Sequence, residues 1–117
     1  MTTIQALRGT ISDSNKTPSL GFLRNPRKIL RIYVEVLEAF NSDGTDTLVI
    51  GYATDTDAYA TSIDVSTTGV KVVTLGTGVS YDATPREVRA TYAAGGTDPT
   101  AGAAVILIEY ADLPRQP

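Results

Sequence analysis

From residue 29 onward the chain is built of short runs rich in β-branched, aromatic and aliphatic residues, each closed by turn chemistry, at roughly ten residues per unit. The runs are "ILRIYVEVLEAF" (29–40), "TLVIGYA" (47–53), "TSIDVST" (61–67), "VKVVTL" (70–75), "EVRATYAA" (87–94) and "GAAVILIEYA" (102–111). In the first of them Leu30, Ile32, Val34 and Val36 alternate with Arg31, Tyr33 and Glu35, the period of a half-buried strand. The spacers "NSDGTD", "TTG", "GTG", "DATP" and "GGTDPTAG" hold Gly, Pro, Asn and Asp, which favour turns. This pattern predicts an all-β fold, an antiparallel β-sandwich or barrel of about six or seven short strands. Asp43-Gly44 is expected to close a hairpin between the first two runs, and "GTDPTAG" a longer one before the last. The run "AVILIEY" is apolar at both strand parities. It is therefore expected to be a central strand covered on both faces, or a strand at an interface.

Residues 1–28 read differently. They keep neither period, "SDSNKTPS" is a polar turn cluster, and Pro18 and Pro26 push their predecessors towards extended backbone. Yet Ile4, Leu7, Ile11, Leu20, Phe22 and Leu23 are too apolar for a disordered tail. The segment carries Arg8, Lys16, Arg24, Arg27 and Lys28 against Asp13 alone, in a chain whose net charge is −3. The division expected is an extended basic N-terminal arm over 1–28 and a β-sandwich or barrel body over 29–117. An arm folded back on its own domain as an edge strand accounts for the same residues.

Composition removes whole classes of chemistry. With 117 residues there is one domain, and with no cysteine there is neither a disulfide framework nor a thiolate metal site. The absence of histidine removes the commonest general base and transition-metal ligand. Serines and threonines then lack a base, "GTDPTAG" lacks the lysine of a phosphate-cradling loop, and no enzyme is expected. No run of eighteen apolar residues occurs. The chain is expected to be soluble and made in the cytosol, without a membrane, nucleic-acid or small-molecule partner. Arg86 and Arg89, flanking Glu87, are expected on a solvated outer face.

"YATDTDAYATSIDV" (52–65) holds Asp55, Asp57 and Asp64. It lacks the central glycine and closing glutamate of a helix-loop-helix calcium site, and the chain has no tryptophan for a sugar groove. Asp55 and Asp57 are expected to favour a turn through side-chain-to-backbone bonds. Weak calcium binding by the pair stays open; no metal or cofactor is assigned.

Three pieces resemble small virion structural proteins of tailed bacteriophages, of the head decoration (cement) or minor head type. They are a strand ending Glu38-Ala39-Phe40 followed by one ending near Ile50-Gly51, the acidic-aromatic Asp55-Thr56-Asp57-Ala58-Tyr59, and the turn Pro99-Thr100 with Gly102 feeding a strand that ends Glu109-Tyr110-Ala111. The resemblance spans roughly 34–114 and leaves out the arm. It implies a non-enzymatic β-domain on the capsid exterior, bound to the major capsid protein as a homotrimer, made in the host cytoplasm. The arm would then be the clamp. Its apolar anchors would be Ile4, Leu7, Ile11, Leu20, Phe22 and Leu23, and its charge partners Arg8, Arg24, Arg27 and Lys28. On this reading the body stays folded without residues 1–28. Two alternatives use the same fold: a carbohydrate- or receptor-binding module with Tyr52, Tyr59, Tyr81 and Tyr92 as its platform, or a tail or connector subunit.

Overall fold

The computed structural model describes residues 3–114. They form eight strands: β1 (Thr3–Ser12), β2 (Ser19–Leu23), β3 (Arg27–Glu38), β4 (Asp46–Tyr52), β5 (Asp55–Asp64), β6 (Gly69–Lys71), β7 (Arg86–Ala94) and β8 (Ala103–Asp112). A short 3-10 turn, Thr77–Val79, lies between β6 and β7. Residues 1–2 and 115–117, the outer ends of the two expected segments, lie outside this description.

The strands make two four-stranded antiparallel sheets, β1-β8-β3-β6 and β2-β7-β4-β5. The pairing has a simple logic. β1 pairs with β8, β2 with β7, β3 with β6 and β4 with β5, as the plies of one long hairpin would. The hairpin curls on itself, so β8 also meets β3 and β7 also meets β4. That is the jelly-roll form of the expected sandwich. Its two inner faces meet in one core that includes Ile32, Val34, Ile106 and Ile108 from the first sheet and Leu48, Ile50, Val88 and Ala90 from the second.

This topology corrects several local expectations. β3 and β4 belong to different sheets, so "NSDGTD" closes no hairpin; it carries the chain across the sandwich. The crossing is held by Asp46, buried, whose carboxylate accepts from the Ser42 N–H (3.1 Å) and from the Tyr92 hydroxyl. "GTDPTAG" likewise bridges sheets, and its Thr97 N–H donates to Asp43 at 2.6 Å. β5 begins at Asp55, immediately after the turn at Ala53-Thr54, so Asp55 and Asp57 lie on a strand rather than in the turn. Of the run 70–75 only the first two residues are in a strand; β6 ends at Lys71.

The boundary expected at 28/29 falls inside the sandwich. From Thr3 to Leu23 the segment read as an arm supplies one edge strand to each sheet, the folded-back alternative. The reason is that Ile11, Leu20 and Leu23 are buried in the common core. β1 and β2 also interlock across the gap between sheets. A Cβ on Gly9 would clash with a Leu20 methyl, and Gly21, at φ +132°, faces a Leu7 methyl. Gly21 sits beside a bulge in β2, where positive φ is permitted only to glycine at low cost.

Candidate functional site

Of the ten residues assigned to a binding arm, the fold withdraws half from the surface. Ile11, Leu20 and Leu23 are core, Leu7 is partly buried against it, and Arg27 is 1% exposed. The Arg27 guanidinium is the hub of an internal polar cluster. It donates to the Thr84 carbonyl (2.6 Å) and the Asn25 carbonyl (3.2 Å), and it pairs with Asp82 at 3.3 Å. Asp82 in turn accepts from Arg86 at 3.1 Å. Burial alone would raise the Asp82 pKa; the Thr84 N–H and the two guanidiniums outweigh it and hold the carboxyl below its usual range. Arg86 is therefore not on a solvated face: it lies 4.0 Å over the Tyr52 ring. Arg89 does remain outside, paired with Glu87 at 2.6 Å.

The remaining arm residues fall into two places. Phe22 and Arg24 form a corner at the end of β2, the guanidinium 4.8 Å from the ring centroid and Phe22 53% exposed. A cleft of about 210 Å³ opens beside them, lined also by Gln5, Leu23, Tyr110 and Asp112. Ile4, Arg8 and Lys28 lie instead on the outer face of the first sheet. Register places them there in rows: Ile4 with Ala111 and Lys28, Arg8 with Leu107 and Tyr33, and Thr10 with Val105, Glu35 and Val70. Paired residues share a face of the sheet.

This outer face has apolar content that the core does not explain. Leu37 is 59% exposed and Val70 71%, Tyr33 is exposed, and Leu107 is only half covered. With Arg8 and Glu35 they line an open cleft of about 460 Å³. The double-sided apolarity of "AVILIEY" is thereby resolved. Ala104, Ile106 and Ile108 point into the core, while Val105 and Leu107 point out onto an outer face that the described residues cover only in part. Of the two expectations for this strand, the described residues bury one face fully and the other only in part. Tyr33, Leu37 and Val70 were not singled out from sequence. The signal was Leu37, which continues the outward parity of Arg31, Tyr33 and Glu35 with an aliphatic residue where a solvated face calls for a polar one.

The remaining candidates do not assemble. Asp55 and Asp57 are exposed and close enough that a hydrogen bond from the Asp55 carboxyl to Asp57, with partial desolvation and the Asp57 charge, pushes the Asp55 pKa up. Asp64 is held down by the hydroxyl and N–H of Ser66. Among the described residues no three acidic side chains converge on a metal position. Nor do the tyrosines form a platform. Tyr59 and Tyr92 are buried, Tyr92 stacks on Phe40 at 4.7 Å, and Tyr52 packs on Tyr59 at 5.7 Å. No described helix is long and apolar enough to cross a membrane.

No protein-family model matches the chain, and no curated protein matches it in sequence. Solved structures do. A chain of the cyanophage Pam1 capsid asymmetric unit superposes with a TM-score of 0.70, covering 96% of this chain and 86% of its own, at 15% identity. A chain of the acidic stable capsid structure of Helicobacter pylori bacteriophage KHP30 gives 0.64, with 98% and 95% covered, at 13% identity. The likeness is one of fold.

Proposed function

We propose that the chain is a structural subunit of a tailed-bacteriophage virion, a head decoration (cement) protein that sits on the outside of the capsid and stabilises contacts between capsomers. The observation that carries this reading is the match of fold over nearly the whole length of both partners with chains from two phage capsid structures. Such coverage makes those chains close to this one in length. A single jelly roll of this size suits a subunit that is added to a shell. Its partner is the major capsid protein, it acts as a homotrimer, and it has no catalytic role. It is made in the host cytoplasm and ends on the virion exterior.

The Phe22–Arg24 corner is the head contact in this reading. It joins an exposed aromatic to a guanidinium, the residue types that anchor interfaces. Repetition over a lattice turns weak individual contacts into tight retention. The test is co-sedimentation of the purified chain with heads of the encoding phage assembled without it, followed by electron microscopy. Added density on the outer surface is expected. The double substitution Phe22→Ala with Arg24→Glu should abolish retention while leaving thermal unfolding unchanged. Density at the tail or connector, or no binding to heads at all, would overturn the reading.

A further inference from the structure

β8 divides the outer face of the β1-β8-β3-β6 sheet into two halves. On the β1 side stands Arg8, and on the β3 side stands Glu35. Both are exposed, and neither has an ion-pair partner among the described residues. They are two strands apart, about 10 Å across the sheet, and offset by one outward row. Between and around them lie Val105 and Leu107, apolar and partly covered, and Tyr33 and Val70, exposed among the described residues. The neighbouring row is closed differently: Arg31 and Glu109 already satisfy one another at 2.7 Å.

We infer that this face is where copies of the chain meet, Arg8 of one copy pairing with Glu35 of the next. The face is complementary to itself. Arg8 and Glu35, each without an ion-pair partner among the described residues, stand on opposite halves beside the apolar strip. Lys28 lies three outward rows from Glu35, at the far end of the face. Symmetric association neutralises both charges and covers the strip without any third component. A foreign partner would have to carry the inverse of the same pattern. In a three-fold arrangement the outer faces turn towards the axis. The β1 half of each copy then packs on the β3 half of its neighbour, and Val105 and Leu107 face the axis. Arg8 would also reach the exposed ring of the neighbour's Tyr33, a favourable site for a guanidinium. The three-fold form rests on the decoration reading above; the face and the charge pair do not.

The experiment is native mass by light scattering on the full chain over a range of concentrations, for the unaltered protein, Arg8→Glu, Glu35→Arg and the double exchange. A trimer is expected. Each single exchange should weaken association by about tenfold or more, because it sets like charges against each other. The double exchange should restore it. Circular dichroism should be the same for all four, since both side chains are exposed. A dimer with the same response upholds the face and the pair while overturning the homotrimer. A monomer throughout, an oligomer indifferent to either exchange, or a double exchange that fails to restore association would each overturn the inference. A monomer that binds heads, and loses them on Arg8→Glu, would assign the face to the capsid instead.

Discussion

Arg27 and Asp82 are joined twice. Their backbones exchange hydrogen bonds of 3.1 and 3.0 Å, and their side chains meet at 3.3 Å with Arg27 almost wholly buried. The link ties the loop before β7 to the start of β3, one strand in each sheet.

Asp82→Asn should therefore destabilise the fold by about 3 kcal/mol in urea unfolding, since it leaves a buried guanidinium without its counter-charge. The acid dependence follows from the sign of the shift. Asp82 is held below its ordinary 3.8 in the folded state, so its contribution is complete above that pH and lost as pH falls through the folded value. The asparagine variant should show a smaller acid-side loss than the parent. Equal losses in both would refute the assignment.

Tyr92 bears on the other extreme of pH. Burial first, and then its hydrogen bond to Asp46, push its pKa up to about 12 from 10.0. A raised value means that the stabilisation is whole below pH 10.0 and disappears as pH rises through about 12. Tyr92→Phe should cost roughly 1–3 kcal/mol at neutral pH, because Asp46 keeps only the Ser42 N–H among the bonds described here. The phenylalanine variant should also lose less stability than the parent when unfolding is followed from pH 9 to about 12.

Tyr59 offers the contrasting case. Its ring is core, but its hydroxyl, close to the Arg27 guanidinium, is buried without a well-formed hydrogen bond among the described residues. Tyr59→Phe removes an unsatisfied polar atom and keeps the ring, so stability should be unchanged within about 0.5 kcal/mol or rise. A loss as large as that of Tyr92→Phe would mean that the hydroxyl is satisfied in solution, for instance by the nearby Arg27.

Removal of residues 1–12 should abolish the cooperative thermal transition rather than trim a tail. It deletes β1, takes Ile11 from the core and leaves β8, a central strand, as an edge. Circular dichroism melting decides the matter: a sharp transition within a few degrees of the parent would show that the body folds without its first strand.

The alternation in "ILRIYVEVLE" identified β3 and grouped Leu30, Ile32, Val34 and Val36 on one side. The last three face the core, while a register shift between Ile29 and Arg31 buries Ile29 and leaves Leu30 only partly covered. The apolar parities of "AVILIEY" identified β8 and left its outer face in question. These were legible because strand periodicity and turn chemistry are local properties of a few adjacent residues. Residues 3–23 were not, because their partners are remote. Gln5 donates to Asp112 across 107 positions, and a short apolar run with prolines nearby has no period that reveals such a partner. The candidate arm dissolved for the same reason: burial of Leu20, Leu23 and Arg27 depends on β7 and the loop before it, remote in sequence, packing against them. Local pattern and composition thus sufficed for the all-β class, for most of the strands after residue 28, and for the lack of thiol and imidazole groups. Which sheet each strand joins, and that Arg8 on β1 and Glu35 on β3 share one face with β8 between them, emerges from the folded arrangement. Register across a sheet is a long-range choice, made where two remote strands bury their apolar faces together.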